Sequence, residues 1–472
     1  MIARRTGLIL AALFVLSASL HCRRGEAEAR DPLTGEAEEA LVAFLRIDTS
    51  NPPGNETAGA VFLRDQLTRA GIPARLLGDD PKRQGVYARL EANPKAPAKE
   101  SDKALLLLSH IDVVPADAAT WTQPPFGGVR ANGYIWGRGA LDVKSLTIAE
   151  LFALIDLKRR GAKLKRDVIF LAVPDEEMGG VAGTKRFLDA YPELFADAGW
   201  VINEGGANET AVDRVLFWGI EVHQKVPLWL RVTAEASGGH GAGPPEGGGA
   251  PAKLVRALAA IDALETPYRL VPSVARSVAA MAAVRPGLKG ERLRIIKKPL
   301  DVERIKRDLP PGIQNLLHDT IAITTLRAGY AVNAVPTKAV AELDIRLLPD
   351  SDTAPMLQRI TEAVGKHATV EVIHAGAASP ESPASGELYD TIAAAMRASA
   401  PGSSVSPILT AGASDSRYFR VRGIPAYGIL PFKINYYDAD SIHGVDERIR
   451  ARFFEDGVMV MRRIVRDFCE TK

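Results

Sequence analysis

Apolar positions recur along this chain in two rhythms. Short unbroken runs at 104–108, 168–173 and 200–202 read as buried strands, and each stops abruptly at polar or acidic residues. Between the first two, "LTIAELFALIDLKRRG" sets Ile148, Phe152 and Ile155 at helical spacing, closes on a basic turn and reaches Gly161 as a stop. Strand, helix and strand in that order predict a crossover and an α/β fold. Ligands of such sheets gather beyond the carboxyl ends of the strands, which is where these strands deliver their polar residues.

The rhythm changes between 226 and 374. An alternating run "VPLWLRVTAEA" is followed by a glycine- and proline-rich turn, "GGHGAGPPEGGGAP", and by the helical "AKLVRALAAIDAL". Strand-like "AVNAVPTKAVAELDIRLLP", a helix around "MLQRITEAVGKH" and a strand "ATVEVIHA" complete what reads as a small α+β unit. The run 267–319 fits neither style and is taken as an excursion of that unit. Beyond it, "LYDTIAAAMRASAP" and "IPAYGILPF" return to the first rhythm. The expected organisation is a signal or anchor segment over 1–29, a catalytic domain split between 30–224 and 376–472, and an inserted domain over 225–375.

A chain of 472 residues is long enough for that plan, and 46% hydrophobic residues supply the cores. A net charge of +2, with no basic and aromatic track, gives no reason to expect nucleic acid. At the N-terminus Arg4 and Arg5 precede an apolar run that is short for a membrane span, so export is expected, to the periplasm, the medium or a membrane surface. Two processing outcomes compete there: cleavage near Ala27-Glu28-Ala29, or lipid attachment at Cys22, although His21 fits a lipobox poorly. Cys22 and Cys469 are the only cysteines, which argues against a disulfide framework and excludes cysteine ligation of a metal.

Five polar groups stand at the strand exits. His110 and Asp112 follow the 104–108 run, Asp142 lies in "GRGALDVKS", and Asp175, Glu176 and Glu177 follow the 168–173 run. Glu204 ends "VINEGG", and His443 precedes a glycine near the C-terminus. Each has a plainer explanation when taken singly: a satisfied core histidine, a helix N-cap at Asp142, a solvated acidic loop. Gathered at one edge of one sheet, the carboxylates make better sense if cations offset their repulsion. Nitrogen and oxygen donors without sulfur suit zinc, with manganese or cobalt as alternatives. Five donors exceed one open catalytic zinc site, and with one shared carboxylate they suffice for two.

The order H-x-D, GRGxxDxK, DEExGG, NEGG, GGHGxxP and a distant HG resembles the co-catalytic zinc metallopeptidase family of aminoacylases, carboxypeptidase S, glutamate carboxypeptidases and succinyl-diaminopimelate desuccinylase. "TWTQPPFGG" and "YIWGRGALDVK" look most like its carboxypeptidase S and N-acyl-amino-acid hydrolase branch. The resemblance implies that Asp142 bridges two metals, that His110 and Glu204 complete one, and that Glu177 and His443 complete the other. It implies that Asp112 orients His110, that Glu176 is the general base, and that the peptide after Asp142 is cis. It also implies that the insertion is a lid and a dimerisation surface. Its His240 would help polarise the scissile carbonyl, although Gly-His-Gly-Ala-Gly-Pro departs from the family's Gly-His-Ser-Ser. Asn333, Arg346 and Arg417 match residues that engage a substrate carboxylate, while Arg346 could instead pair with Asp344 or Glu342 on a strand surface.

The function expected from these residues is dinuclear zinc hydrolysis of an amide next to a C-terminal amino acid, in small peptides or N-acyl amino acids. A strict aminoacylase is the near alternative. An exported binding protein for amino-acid derivatives is the alternative from another class.

Overall fold

A computed structural model of the protein describes residues 31–92, 103–211, 213–284 and 288–471. The signal segment and Cys22 lie outside the described residues.

A nine-stranded mixed sheet carries the first rhythm. Its order is Ala74–Leu77, Gly85–Leu90, Val168–Val173, Ala104–His110, Ala198–Asn203, Ala426–Gly428, Arg214–Gln224 and Ser404–Thr410, with Ala207–Ala211 paired to Arg214–Gln224 off that path. Ala104–His110 runs parallel to both Val168–Val173 and Ala198–Asn203, so all three leave the sheet on the same side. The leucine run is apolar at every position because both faces are covered. Leu105 and Leu107 pack with Phe152 and Ile155 of the helix Lys144–Arg159, whereas Leu106 and Leu108 pack with Phe187 and Phe419 on the opposite face. Each buried leucine contributes roughly 1.5–3 kcal/mol over leaving it in water. The expected crossover helix ends as its sequence suggests, with Gly161 at φ 60 beyond Arg160.

A second, four-stranded sheet runs in the order Thr320–Ala328, Lys338–Leu347, Val226–Glu235 and Thr369–Ala375 and is antiparallel throughout. Its alternation faces Leu228, Leu230 and Val232 inward, together with Leu343 and Ile345, against the helices Gly249–Asp262 and Thr353–Val364. A two-stranded ribbon, Gly239–His240 against Ala334–Val335, projects from this unit.

The run 267–319 differs from its expected place. Its helices Pro272–Val284 and Val302–Asp308 do not extend the small sheet; Val274, Val278 and Ile305 share a core with Leu409 of Ser404–Thr410, the terminal strand of the nine-stranded sheet. Val274, Val278 and Ala282 recur every four residues, so the helix presents an apolar stripe that this strand covers. Among the described residues, no helix is long and apolar enough to cross a membrane.

A small sheet of Val129–Ala131, Tyr134–Trp136 and Arg448–Arg450 sets the site's last component in place. Pairing Ile449 with Ile135 draws the loop carrying His443 beside the loop carrying Asp142, which lie about three hundred residues apart in sequence.

Candidate metal centre and substrate cavity

Asp142 lies between two imidazoles. Its Oδ1 is 3.1 Å from His110 Nε2, and its Oδ2 is 3.1 Å from His443 Nε2. Each histidine faces a second carboxylate, Glu204 Oε1 at 3.8 Å from His110 and Glu177 Oε2 at 3.2 Å from His443. The five residues expected as ligands are therefore brought together with Asp142 in the shared position. Ligand-type atoms of His110, Asp142 and Glu177 lie within 4.8 Å of one another, as do those of His110, Glu176 and Glu204, so Glu176 borders the same centre. Asp142 is not an N-cap: the helix begins beyond it with Val143 at the cap position and no side-chain cap bond, and the Asp142–Val143 peptide is cis.

The surroundings fix this arrangement through the main chain. Buried Glu447 accepts the N–H groups of Gly139, Leu141 and Asp142 at 3.0, 2.7 and 3.0 Å and pairs with Arg138 at 2.7 Å. His110 donates from Nδ1 to the carbonyl of Asp112 at 2.8 Å, which leaves Nε2 to face Asp142. This corrects the role expected for Asp112. Its carbonyl, not its carboxylate, orients the ring. The carboxylate lies 3.7 Å from Nδ1 and instead accepts from Asn51 Nδ2 at 2.9 Å and from the N–H groups of Glu176 and Glu177 at 3.2 and 3.1 Å.

Electrostatics show what the site lacks by itself. Burial would raise Asp142, but the two imidazoles hold it well below the usual carboxylate range. Burial and the charge of Glu204 lift Glu176 well above that range, and burial with Asp142 pushes Glu177 up to about 7. His443 is raised to about 10 by its bonds to Asp142 and Glu177; His110 is raised despite its burial, by Glu204, Asp142 and Glu176. Protons are thus held where cations would fit. Glu177 Oε1 is buried and has no hydrogen-bond partner, so it is free to serve as a ligand atom. The donor set, two histidines and carboxylates with no sulfur, fits two zinc-like ions.

A cavity of about 660 Å³ opens from this centre. Asp142, Glu176, Glu177, Glu204 and His443 form its floor, while Trp229, Asp344 and Arg346 line it from the four-stranded sheet. Arg346 meets both expectations: it lines the cavity and it pairs with Asp344, through Nε at 2.7 Å and Nη2 at 3.0 Å. Arg417 also lines the cavity, yet its amines donate to Gly179 O at 2.6 Å and Ser414 O at 2.9 Å, so it braces the acidic turn. His240 and Asn333 are not brought to this cavity. Both are exposed beside the ribbon, where Gly241 N donates to Asn333 O, because the strand pairing of 239–240 with 334–335 carries them outward. The sequence reading missed Glu447, four residues after His443, and Trp229, whose indole N–H donates to Asp344 at 3.0 Å. An acid one turn from a ligand was the available signal for Glu447; nothing in an alternating strand singled out Trp229.

The family-wide sequence model of peptidase family M20/M25/M40 matches residues 106–467. The chain belongs to that family. This M20-family protein is therefore a hydrolase acting on amide bonds. It is 28% identical to mouse aminoacylase-1 over 421 residues, covering 88% of this chain and 91% of the relative. It is 27% identical to the N-fatty-acyl-amino acid synthase/hydrolase PM20D1 of Xenopus tropicalis over 371 residues, or 74% of this chain and 69% of that one. Its fold is shared with an M20 family metallo-carboxypeptidase from Sulfolobus solfataricus, with a TM-score of 0.69, 22% identity, and 92% and 99% of the two chains covered. Human carnosine dipeptidase 1 shares it too, with a TM-score of 0.69, 15% identity, and 93% and 97% covered.

A divalent cation and protons would compete for these side chains, which sets a pH dependence. In the metal-free chain the contribution of His443 is fully present below its ordinary value of 6.5 and is lost as pH rises through about 10. Metal binding runs the other way and tightens with pH. Calorimetric titration of metal-free protein with zinc at pH 7, repeated in buffers of different ionisation enthalpy, should show at least two protons released per chain, from His110 and His443 with a further share from Glu177. Release of none would contradict the assignment of the imidazoles as ligands.

Proposed function

We propose that this protein is a dinuclear zinc hydrolase that cleaves the amide next to a C-terminal amino acid in small peptides or N-acyl amino acids. The observation that carries this reading is Asp142 held between two imidazoles, each backed by another carboxylate, on the floor of a cavity whose wall holds Arg346. Bound there, two divalent cations would supply the charge that polarises a carbonyl and acidifies water. Glu176, which borders the centre, would take a proton from the attacking water and pass it to the leaving nitrogen. Arg346 offers N–H donors to the substrate's free carboxylate. The catalytic unit is taken as 30–224 with 376–472, the insertion as 225–375, and the N-terminal 29 residues as an export signal or a lipid anchor at Cys22.

Strict aminoacylase action on N-acyl amino acids is the second reading, favoured by similarity to aminoacylase-1 across 88% of the chain. A panel of dipeptides and N-acyl amino acids, run on zinc-loaded residues 30–472 with and without chelator, separates the two. Chelator-sensitive release of the C-terminal amino acid with two metals per chain supports the proposal, and release from N-acyl substrates alone supports the narrower one. Two bound metals without turnover would favour a binding protein.

The carboxylate reading has its own check. Arg346→Ala should lower kcat/KM about 10–100-fold for substrates with a free carboxylate and leave the matching C-terminal amides unchanged, since a hydrogen bond to a charged group contributes about 1.5–3 kcal/mol. Equal losses on both would remove Arg346 from that role.

The insertion is also proposed to form a homodimer in which the ribbon enters the partner's cavity. Support comes from exposed His240 and Asn333 beside Tyr330 and Val332, which are 87% and 105% exposed. Glu176→Gln and His240→Ala homodimers should each be inactive, while a refolded equal mixture should recover about a quarter of wild-type turnover, because each heterodimer rebuilds one site. No recovery, with mixed dimers present, would place His240 outside the reaction.

A further inference from the structure

The acidic turn that presents Glu176 and Glu177 has little apolar anchorage. Met178 is 39% exposed, and Asp175 adopts φ 75, a left-handed conformation that a non-glycine residue keeps only where its surroundings over-determine it. Polar contacts must hold this turn: Arg417 and Tyr418 close on Gly179 O from one side, and a further set traces back to chain that precedes the family match at 106–467. We propose that Asn51 and the Glu56–Arg83 pair are positioning residues that set this turn and, through it, the Glu176 and Glu177 carboxylates.

Residues 49–51 run beside 111–113. Asn51 N donates to Val113 O at 2.9 Å, Val113 N to Thr49 O at 3.2 Å, and Thr49 Oγ1 to Ile111 O at 2.8 Å. That alignment places Asn51 Nδ2 2.9 Å from Asp112 Oδ2, the same oxygen that receives the Glu177 N–H. Asn51 therefore fixes the acceptor on which both glutamate N–H groups rest. The other end of the turn is held by Arg83, whose Nη2 reaches Asp175 Oδ1 at 2.7 Å and Glu56 Oε1 at 3.0 Å. The second oxygen of Asp175 takes the N–H of Ala182 at 2.7 Å, so its carboxylate is held at both ends. Glu56 is fully buried, and its charge keeps the guanidinium in place. Gly54, at φ 91, makes room: a Cβ there would lie 2.6 Å from Arg83 Nε. The two ends of the segment "NPPGNE" thus each reach the turn through one intermediary, Asn51 through Asp112 and Glu56 through Arg83.

This inference rests on the roles proposed above for Glu176 and Glu177, and its test keeps the two apart. Asn51→Ala removes one contact. Glu56→Gln/Arg83→Met removes the other, neutralising Glu56 and leaving the Asp175 carboxylate on the Ala182 N–H. Zinc affinity by chelator competition, kcat and KM on the active substrate, and the thermal midpoint of the metal-free chain are measured for both, with Arg83→Lys as the conservative variant and Glu176→Gln as the control. Each disruptive variant should lose about 10–100-fold in zinc affinity and in kcat, the range for residues that orient ligands, with KM and the metal-free midpoint little changed. Arg83→Lys should recover most of the loss. The inference is overturned if zinc affinity and kcat stay within about threefold of wild type, if the losses merely track a lowered midpoint, or if both variants fail to fold. Turnover retained by Glu176→Gln would instead sink the underlying functional reading.

Discussion

Four carboxylates, those of Asp142, Glu176, Glu177 and Glu204, converge on one point at the carboxyl edge of a buried sheet, and the rest of the site is organised around that crowding. Two like charges 4 Å apart repel by about 4 kcal/mol at an effective dielectric near 20, so four ionised groups cannot share this volume unaided. The metal-free chain relieves the repulsion by keeping protons on the imidazoles and by lifting Glu176 and Glu177. Bound cations would offset the same repulsion without protonating these residues. The raised affinity of Glu176 for a proton and the raised position of Glu177 are two consequences of one electrostatic constraint.

Such a site has to be held by something other than its own side chains. Here buried acids grip the main chain. Glu447 gathers three N–H groups of the loop that ends in Asp142, and Asp112 gathers the N–H groups of Glu176 and Glu177. Arg417 and Tyr418 close on Gly179 O from the other side. Bonds to the backbone constrain position without adding a side chain that competes for metal, so the ligands stay free on the face where the charge is needed. Lys144 of "GRGALDVK" belongs to the same pattern: its ammonium donates to Phe44 O and Ile47 O and secures the first helix beneath the site.

Much of this was legible because strand ends and chemistry coincide in sequence. The runs at 104–108 and 168–173 could be apolar at every position only in a sheet covered on both faces, and the ionisable residues following them had to emerge together. Asp112 was legible as a residue but not as a geometry, since nothing in H-x-D distinguishes a carbonyl contact to the ring from a carboxylate one. The bracing contacts of Arg417 were not legible for a related reason: a lone arginine motif cannot reveal that the carbonyl of Gly179, more than two hundred residues away, accepts from its guanidinium. The helices of 267–319 were misplaced because an amphipathic stripe announces that it needs a partner without naming it, and Leu409 lies far along the chain.

The cavity wall opposite the acidic floor carries the last step. Arg346 arrives already paired, its Nε and Nη2 on Asp344, which also takes the indole N–H of Trp229. That pairing locks the guanidinium in one plane before any ligand arrives, so less rotamer entropy remains to be lost on binding. It also cancels most of the local positive charge. On the proposed reading, a substrate carboxylate would therefore be selected by the direction of the remaining N–H donors more than by net attraction, as suits a site whose floor is crowded with acids. The same economy appears where the two sheets join: Lys225, buried at the crossing, donates to the carbonyls of Asn315 and His318 and ties the helices of 267–319 to the first residue of the second sheet's entry. On the same reading, a wall held this way would keep Arg346 at a fixed height above the acidic floor, and that height would set how much chain could lie between a scissile amide and the carboxylate.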